Sequence, residues 1–542
     1  MNTRKRGRKI PEDNEGYQIM QEVLTLDEAA KYIRVSDKTL REMARSGRIP
    51  GQKVGREWRF LRDALRAWLQ HGISSGSAAE IETVSGETNK VAEPLVQYKV
   101  PFAGFRDTGF RENHERALHR WVPWIAGFSA SFVDGVLAQI TNCPPETIVV
   151  LDPFAGVGTT LVEAMKNGHH AIGFEINPYA ALACKVKTTA HECNVDILGD
   201  RIERFRRFAG NGNAVPVSRP PAGFKSRIPF FSPDIERQVL LFFDFLKDEK
   251  LDWVRDLFRV AMGAVMVGFS NYSYEPSLGT RTAAGKPNVE RADVGQIVAG
   301  KLDEMMEDII AFQDMIGGLS TKPKADVYSA SFLDDAQIVA PRSVDVLVTS
   351  PPYLNNYHYI RNTRPQMYWL GMVSSPADTK EMEHKSFGQF WQTVRSGPRI
   401  DLNTNHAELR GLIEVLREHN RDKGAYGGAG WANYACTYFN DCLRFCRRLK
   451  EVMRPGGILA VVIGNNILQG IEFKTDRFFA EIAGQVGFDL VDIHQVRAKR
   501  TGTSIVDSSV RARTMKKRTH LYESVVELRA PSAPEERHGR GQ

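Results

Sequence analysis

The stretch TIVVLDPFAGVGTTLVEAMKNGHHAIGFEIN, residues 147–177, decides the fold. It holds a β-like apolar run (147–154), a glycine-punctuated turn, an amphipathic helix from Thr159 to Asn167 and a second β-like run (170–177). That is the opening of a βαβ unit. Its glycines fall where the first strand must turn into the helix, the context that makes such a pattern informative. Gly156 and Gly158 let the backbone turn sharply and approach a ligand closely, while the helix start offers free N–H groups. Glu175 closes the second run, about 20 residues on, where a carboxylate can accept from both hydroxyls of a ribose. The pairing fits a nucleoside-containing cofactor. It is not the dinucleotide G-x-G-x-x-G spacing, and no Walker lysine follows.

Outward from this unit the alternation continues. Strand candidates at 325–332, 343–350, 458–464, 489–496 and 521–529, with helical periodicity before or between most of them, predict a doubly wound α/β sheet with a late hairpin. Between 196 and 322 the alternation lapses into a Pro/Gly/Arg-rich loop and three helices (234–248, 251–268 and 293–315), read as an inserted helical subdomain. A second stretch, 372–430, is polar without clear periodicity and reads as a long functional loop.

The composition suits a soluble globular protein: 542 residues, 42% hydrophobic and 25% charged. No run approaches the roughly 18 apolar residues of a membrane helix, and MNTRKRGRKIPEDNEG lacks the apolar segment of a signal peptide, so a cytoplasmic location is expected. Six cysteines without a C-x-x-C pair suit neither a disulfide scaffold nor a zinc site; they read as reduced core residues, and no metal is expected. Of the net charge of +7, +6 falls in residues 1–70, with 16 Lys/Arg against 10 Asp/Glu. A second basic run, 497–518, sets eight Lys/Arg against Asp507 alone and is a candidate phosphate contact.

DPFAGVGTT (152–160) with Glu175 and TSPPY (349–353) resembles the S-adenosylmethionine-dependent DNA amino-methyltransferases, over roughly 98–195 and 323–530 and including RPGGILAVVIGNN (454–466). The resemblance implies a Rossmann-like methyltransferase fold with S-adenosyl-L-methionine as cofactor, held by Asp152, Pro153, Phe154, Ala155, Gly156, Gly158, Thr159, Thr160 and Glu175. A segment contacting the methionine part is expected before the glycine loop; WIAGFSASFVDGVL (124–137), and Phe128 within it, is the candidate. The insertion occupies the place expected of a target-recognition region, with loops 204–227 and 270–291 carrying groups that could reach the grooves.

In this reading Ser350, Pro351, Pro352 and Tyr353 are the catalytic motif, at the carboxyl edge of the strand SVDVLVT, where open α/β sheets bind ligands. An exocyclic amine on a base is a poor nucleophile because its lone pair is delocalised into the ring. Ser350 Oγ and the Pro351 carbonyl can accept from its N–H groups and favour a pyramidal nitrogen, the prolines stiffen the backbone, and Tyr353 offers a stacking face. Stacking of about 1–3 kcal/mol is comparable with the cost of extruding a base. In the family, serine at the first position is often found in cytosine-N4 enzymes and Asp or Asn in adenine-N6 enzymes, so Ser350 points to cytosine. Carbon-5 methylation would need a nucleophilic cysteine, and the Cys143-Pro144 pair lies in the wrong place. Tyr357 and His358 are further candidates for the pocket wall.

Residues 25–69 resemble the excisionase-type, MerR-like winged helix-turn-helix family. Ala29, Ile33, Val35, Leu40 and Met43 have the spacing of two packed helices, with Asp37 the expected cap of the second. Lys38, Thr39, Arg41 and Arg45 on that helix and Arg56, Trp58 and Arg59 on the wing are the expected DNA contacts. The domains then run as a basic tail (1–22), the helix-turn-helix (23–73), a linker (74–97), a methyltransferase domain (98–195 and 323–530) around the insertion (196–322), and a disordered tail (531–542). Double-stranded DNA is the expected partner, with a cognate restriction endonuclease or other defence-system proteins as companions and no membrane. Adenine-N6 methylation, a catalytically inactive DNA-binding regulator and an RNA amino-methyltransferase are the competing readings.

Overall fold

The computed structural model describes residues 23–33, 35–45, 49, 52–54, 57–61, 65, 110–124, 127–140, 147–211, 214–274, 277–354, 357–499 and 521–532. The expected linker, the N-terminal tail, the C-terminal tail beyond residue 532 and the basic run beyond Lys499 lie outside these residues. Contacts divide the chain into two units, Met1–Glu93 and Pro94–Gln542. No helix among the described residues is long and apolar enough to cross a membrane.

The first unit runs β1 (Val23–Thr25), α1 (Leu26–Ile33), α2 (Asp37–Arg45), β2 (Gln52–Val54) and β3 (Glu57–Leu61), its strands forming an antiparallel sheet in the order β1-β3-β2. A capping box opens α1: the Thr25 N–H donates to Glu28 Oε2 (2.8 Å) and the Glu28 N–H to Thr25 Oγ1. Leu26, Ala29, Ala30, Leu40, Ala44 and Phe60 form its core, with Ile33, Val35 and Met43 packed against it as their spacing predicts. The cap of α2 is corrected from Asp37 to Ser36, whose Oγ accepts from the Thr39 N–H (3.1 Å). Asp37 instead begins the helix, where its charge favours the dipole.

The second unit is built on seven strands: β4 (Val149–Asp152), β5 (His170–Phe174), β8 (Ala325–Tyr328), β9 (Val344–Thr349), β10 (Met453–Gly464), β13 (Asp489–Lys499) and β14 (Leu521–Arg529). Two short hairpins, β6–β7 (Tyr272–Tyr274, Leu278–Thr280) and β11–β12 (Asn466–Leu468, Ile471–Phe473), stand apart. The spatial order is β13-β14-β10-β9-β4-β5-β8, with β14 antiparallel to both neighbours and the other ladders parallel. β14 and β13 make the late hairpin the sequence predicts.

Strand alternation sorts the side chains into two cores. Val150, Val346, Val348, Ala460 and Val462 pack with α3 (Ala130–Ile140) and α4 (Thr159–Lys166). Leu151, Leu347, Leu459 and Val461 pack instead beneath α10 (Gly428–Val452) and α11 (Thr475–Val486). Helices on both faces make the sheet doubly wound. Its strand order reverses between β9 and β4, so the crevice at their carboxyl ends is the place for a ligand.

The region after α5 (Pro178–Thr188) is helical, with α6 (Val195–Ala209), α7 (Pro233–Lys247), α8 (Asp252–Val265) and α9 (Val294–Gly317) sharing one core. That core also takes in Val162 and Met165 of α4 and Tyr179, Ala180, Ala183 and Val186 of α5, so the insertion packs on the layer that covers the sheet. The stretch 372–430 is corrected from a loop to helices at Pro376–Lys385, Trp391–Val394 and Ala407–Glu418. Only the last carries a buried stripe, Leu409, Ile413 and Leu416, set in a charged sequence that hides the period.

Candidate active site

The switch point between β4 and β9 opens into a cleft of about 990 Å³. From the glycine turn, Pro153, Phe154, Ala155, Gly156 and Thr159 line it; from the end of β5 come Glu175, Ile176 and Asn177; from the end of β9 come Ser350 and Pro352; Phe128 closes a wall. The two motifs, nearly 200 residues apart in sequence, thus meet in one cavity.

One buried carboxylate holds them together. Asp152, 1% exposed, accepts from Thr349 Oγ1 (2.6 Å), Thr160 Oγ1 (2.7 Å) and the Phe154 N–H (3.0 Å). Thr349 immediately precedes Ser350, so Asp152 ties the end of β9 to the start of α4. Burial nevertheless pushes its pKa up to about 6, against the pull of the three hydrogen bonds. Asp152 and Thr160, expected to hold the cofactor, are absent from the cleft lining and brace its wall from within. Gly158 does not line the cleft either. It caps α4 in the left-handed region (φ 86°), and a Cβ there would stand 2.8 Å from Cys184 Sγ, so glycine is demanded by both conformation and space.

Glu175 shapes the turn. Its Oε2 accepts from the Gly156 N–H (2.9 Å) and its Oε1 from the Asn177 N–H (2.7 Å), while burial, aided by Asp152, raises its pKa to about 7. A carboxylate has about four acceptor sites, so acceptor capacity remains. Asn177 caps α5 through its side-chain oxygen and donates to Thr363 Oγ1 (2.7 Å). Gly156 (φ 51°) turns beneath Trp124, whose Nε1 would lie 3.1 Å from an added Cβ.

Tyr353 departs from expectation. It packs against the core beneath α10 rather than lining the cleft, and its hydroxyl bonds to the Ser350 side chain and to Glu523 Oε1 (3.3 Å). Burial raises its pKa well above the usual phenol range. Tyr353 thus bonds to Ser350 just past the end of β9, and the aromatic faces that line the cleft are Tyr359, stacked on Trp124 (5.8 Å, 17°), and Phe390. Pro351 is buried. His358 stacks on Phe390 (4.3 Å, 14°) and Tyr357 meets Tyr359 edge-on, both outside the main cleft.

Ile176, Phe332, Leu333, Ile360 and Phe387 complete apolar walls that sequence reasoning missed. Phe387 and Phe390 sit in the stretch mistaken for a loop. The signal that could have found them was the aromatic pair around Gly388 in an otherwise polar segment.

In the N-terminal unit Thr39, Arg41 and Arg45 are exposed along α2, with the Thr39 hydroxyl shared with Ser36 (2.7 Å). Arg59 donates to the Trp58 carbonyl (3.0 Å) and pairs with Glu57 (2.6 Å). Trp58, expected on the wing, is half-buried against the core and stacked on Phe60 (6.3 Å, 25°). Arg56 and the Lys38 side chain lie outside the described residues.

Residues 138–185 match a family model described as a DNA methylase, of N6 and N4 type, and residues 23–72 match a helix-turn-helix domain. Over 435 residues the chain is 21% identical to the type II methyltransferase M.BsoBI of Geobacillus stearothermophilus, covering 73% of this chain and 83% of that protein. It is 22% identical to the type II methyltransferase M.AvaI of Nostoc (71% and 82% covered) and to M.MvaI of Kocuria varians (70% and 83%). The similarity to these proteins therefore spans most of both chains.

Proposed function

We propose that this chain, an amino-methyltransferase by its family match and relatives and with a helix-turn-helix domain at its N-terminus, is a site-specific DNA methyltransferase acting on the exocyclic amine of an extruded base, cytosine N4 in the finer reading. The observation that carries it is the shared cleft: Gly156, Thr159 and Glu175 line the same cavity as Ser350 and Pro352.

The residues fit S-adenosyl-L-methionine. Glu175 keeps acceptor capacity for ribose hydroxyls at a turn where a Cβ would crowd Trp124, and Ile176, Phe332 and Leu333 supply an apolar wall suited to an adenine ring. When bound, that cofactor supplies a methyl carbon on a sulfonium leaving group. Ser350 Oγ, held by Tyr353, and the Pro351 carbonyl accept from the amine's N–H groups and localise its lone pair. Tyr359 and Phe390 offer faces to the extruded ring.

The Glu175 carboxyl sets a pH dependence. Its pKa near 7 lies above the ordinary 4.5, so in the free protein the folded state holds this proton through that window. Stability from this group accordingly falls as pH rises from 4.5 to 7. Cofactor affinity is expected to run the other way, rising through pH 7 as the carboxylate forms, then levelling. Calorimetric titration from pH 5.5 to 8.5 checks it; E175Q should bind weakly with a flat profile.

The helix-turn-helix unit is proposed to contact DNA through Arg41 and Arg45 together with Lys38 and Arg56. Deleting residues 1–73 should weaken duplex binding and flatten its salt dependence, because phosphate neutralisation sets that slope. An unchanged slope in a filter-binding series would separate this unit from DNA binding. Long-read sequencing of DNA from cells expressing the protein tests the main reading: N4-methylcytosine at a fixed site supports it, N6-methyladenine replaces the base, and no methylation with no cofactor binding leaves a DNA-binding regulator.

A further inference from the structure

A second groove, of about 1010 Å³, adjoins the cleft and shares Ile360 and Phe390 with it. It is lined by Lys225, Arg361 and Arg364, and the same three residues pass into a third hollow where Arg227 joins them. The four cations come from two separated segments, one in the insertion and one just past the SPPY motif. Among the described residues none of the four forms an ion pair, unlike Arg201, Arg206, Arg237, Arg255 and Arg259 of the insertion, each of which has a carboxylate. One acid, Glu383, lines the groove, and burial raises its pKa.

Arg364 is fixed in advance. Its guanidinium donates to the Lys225 carbonyl and lies over the rings of Phe224 (5.5 Å) and Tyr368 (5.8 Å). A planar cation held on aromatic faces keeps N–H groups aimed outward at little further entropic cost, an arrangement suited to phosphate. Lys225, Arg227 and Arg361 are exposed beside it. Unneutralised positive charge leading to the mouth of a cleft raises the local concentration of polyanions.

We propose that Lys225, Arg227, Arg361 and Arg364 clamp the phosphodiester backbone next to the nucleotide that enters the cleft, holding the strand while its base is turned inward. This rests on the reading of the cleft as a DNA methyltransferase site, and adds a nucleic-acid contact on the catalytic unit that does not depend on the helix-turn-helix. The sequence carries a partial hint, since loop 204–227 holds two of the four; Arg361 and Arg364 emerge only from the fold.

The test uses the full chain and a duplex containing the target site. In R361Q/R364Q the slope of log affinity against log salt should fall by about 2, at about 0.9 for each phosphate no longer neutralised, and KM for DNA should rise more than kcat falls, with cofactor affinity retained. Replacing the phosphate beside the target base with a neutral methylphosphonate should cost the wild type at least tenfold in affinity and cost R361Q/R364Q little more. Equal methylphosphonate losses in both proteins, or an unchanged slope, would overturn the clamp. Arg361 is exposed and outside the aromatic packing, so R361Q alone, expected to lower the slope by about 1, separates the absence of one phosphate partner from misfolding. If the wild type methylates nothing yet the slope still depends on these residues, the clamp stands and the enzymatic reading fails; methylation with an indifferent slope gives the reverse.

Discussion

Ser350→Ala is expected to remove methyl transfer, by at least about a hundredfold, the scale seen when one preorganised polar group at a reacting centre is lost, while cofactor affinity stays near wild type. Ser350 lines the cleft beside the glycine turn, while the Glu175 carboxylate bonds to the Gly156 and Asn177 N–H groups instead. Without Oγ the amine is expected to keep its delocalised lone pair, and Tyr353 loses its Ser350 partner while keeping Glu523. Tyr353→Phe should then give a smaller loss, because it disturbs the aim of Ser350 and leaves the acceptor in place. Single-turnover rates with radiolabelled cofactor, set beside calorimetric affinities, check both variants. Full turnover in Ser350→Ala would remove the serine from the chemistry.

Asp152→Ala is expected to damage everything together: the unfolding midpoint, cofactor affinity and turnover. The carboxylate takes two threonine hydroxyls and one backbone N–H, all in the interior. Each buried donor left unpaired costs about 1–3 kcal/mol, offset in part by release of a carboxylate whose burial already raises its pKa to about 6. The net is a loss of a few kcal/mol and a loosened join between the glycine turn and the strand that carries Ser350. Thermal melts with and without cofactor supply the measurement. A variant with the wild-type midpoint and wild-type cofactor affinity would show that the brace is dispensable.

The sheet was legible because its signals are local. Strand, turn and helix follow one another within residues 147–177, and β9 is apolar at most of its six positions, Val344, Val346, Leu347 and Val348 among them. That Glu175 and Ser350 would reach the same cleft was legible for the same reason, each following a strand at the sheet's carboxyl edge. What the sequence hid depends on distant neighbours. Asp152 reads as part of a ligand loop until its partners at Thr160 and Thr349 are seen, and Tyr353 reads as a stacking ring until Glu523 from β14 claims its hydroxyl. The helices between 376 and 418 were missed because the first buries nothing and the last buries only a narrow stripe in a charged sequence. Phe387 and Phe390, in the connection between the first two of these helices, reach the cleft wall by chain path alone.

The shared core of α4, α5 and α6–α9 bears on whether the insertion can be exchanged for another. A module hung from flexible joints can be traded between lineages whole. Here Val162, Met165, Tyr179 and Val186 would be stripped of their cover by such an exchange. Any viable chimera must therefore import a replacement for that apolar seam along with the new segment, which favours gradual drift at the rim over wholesale transplantation.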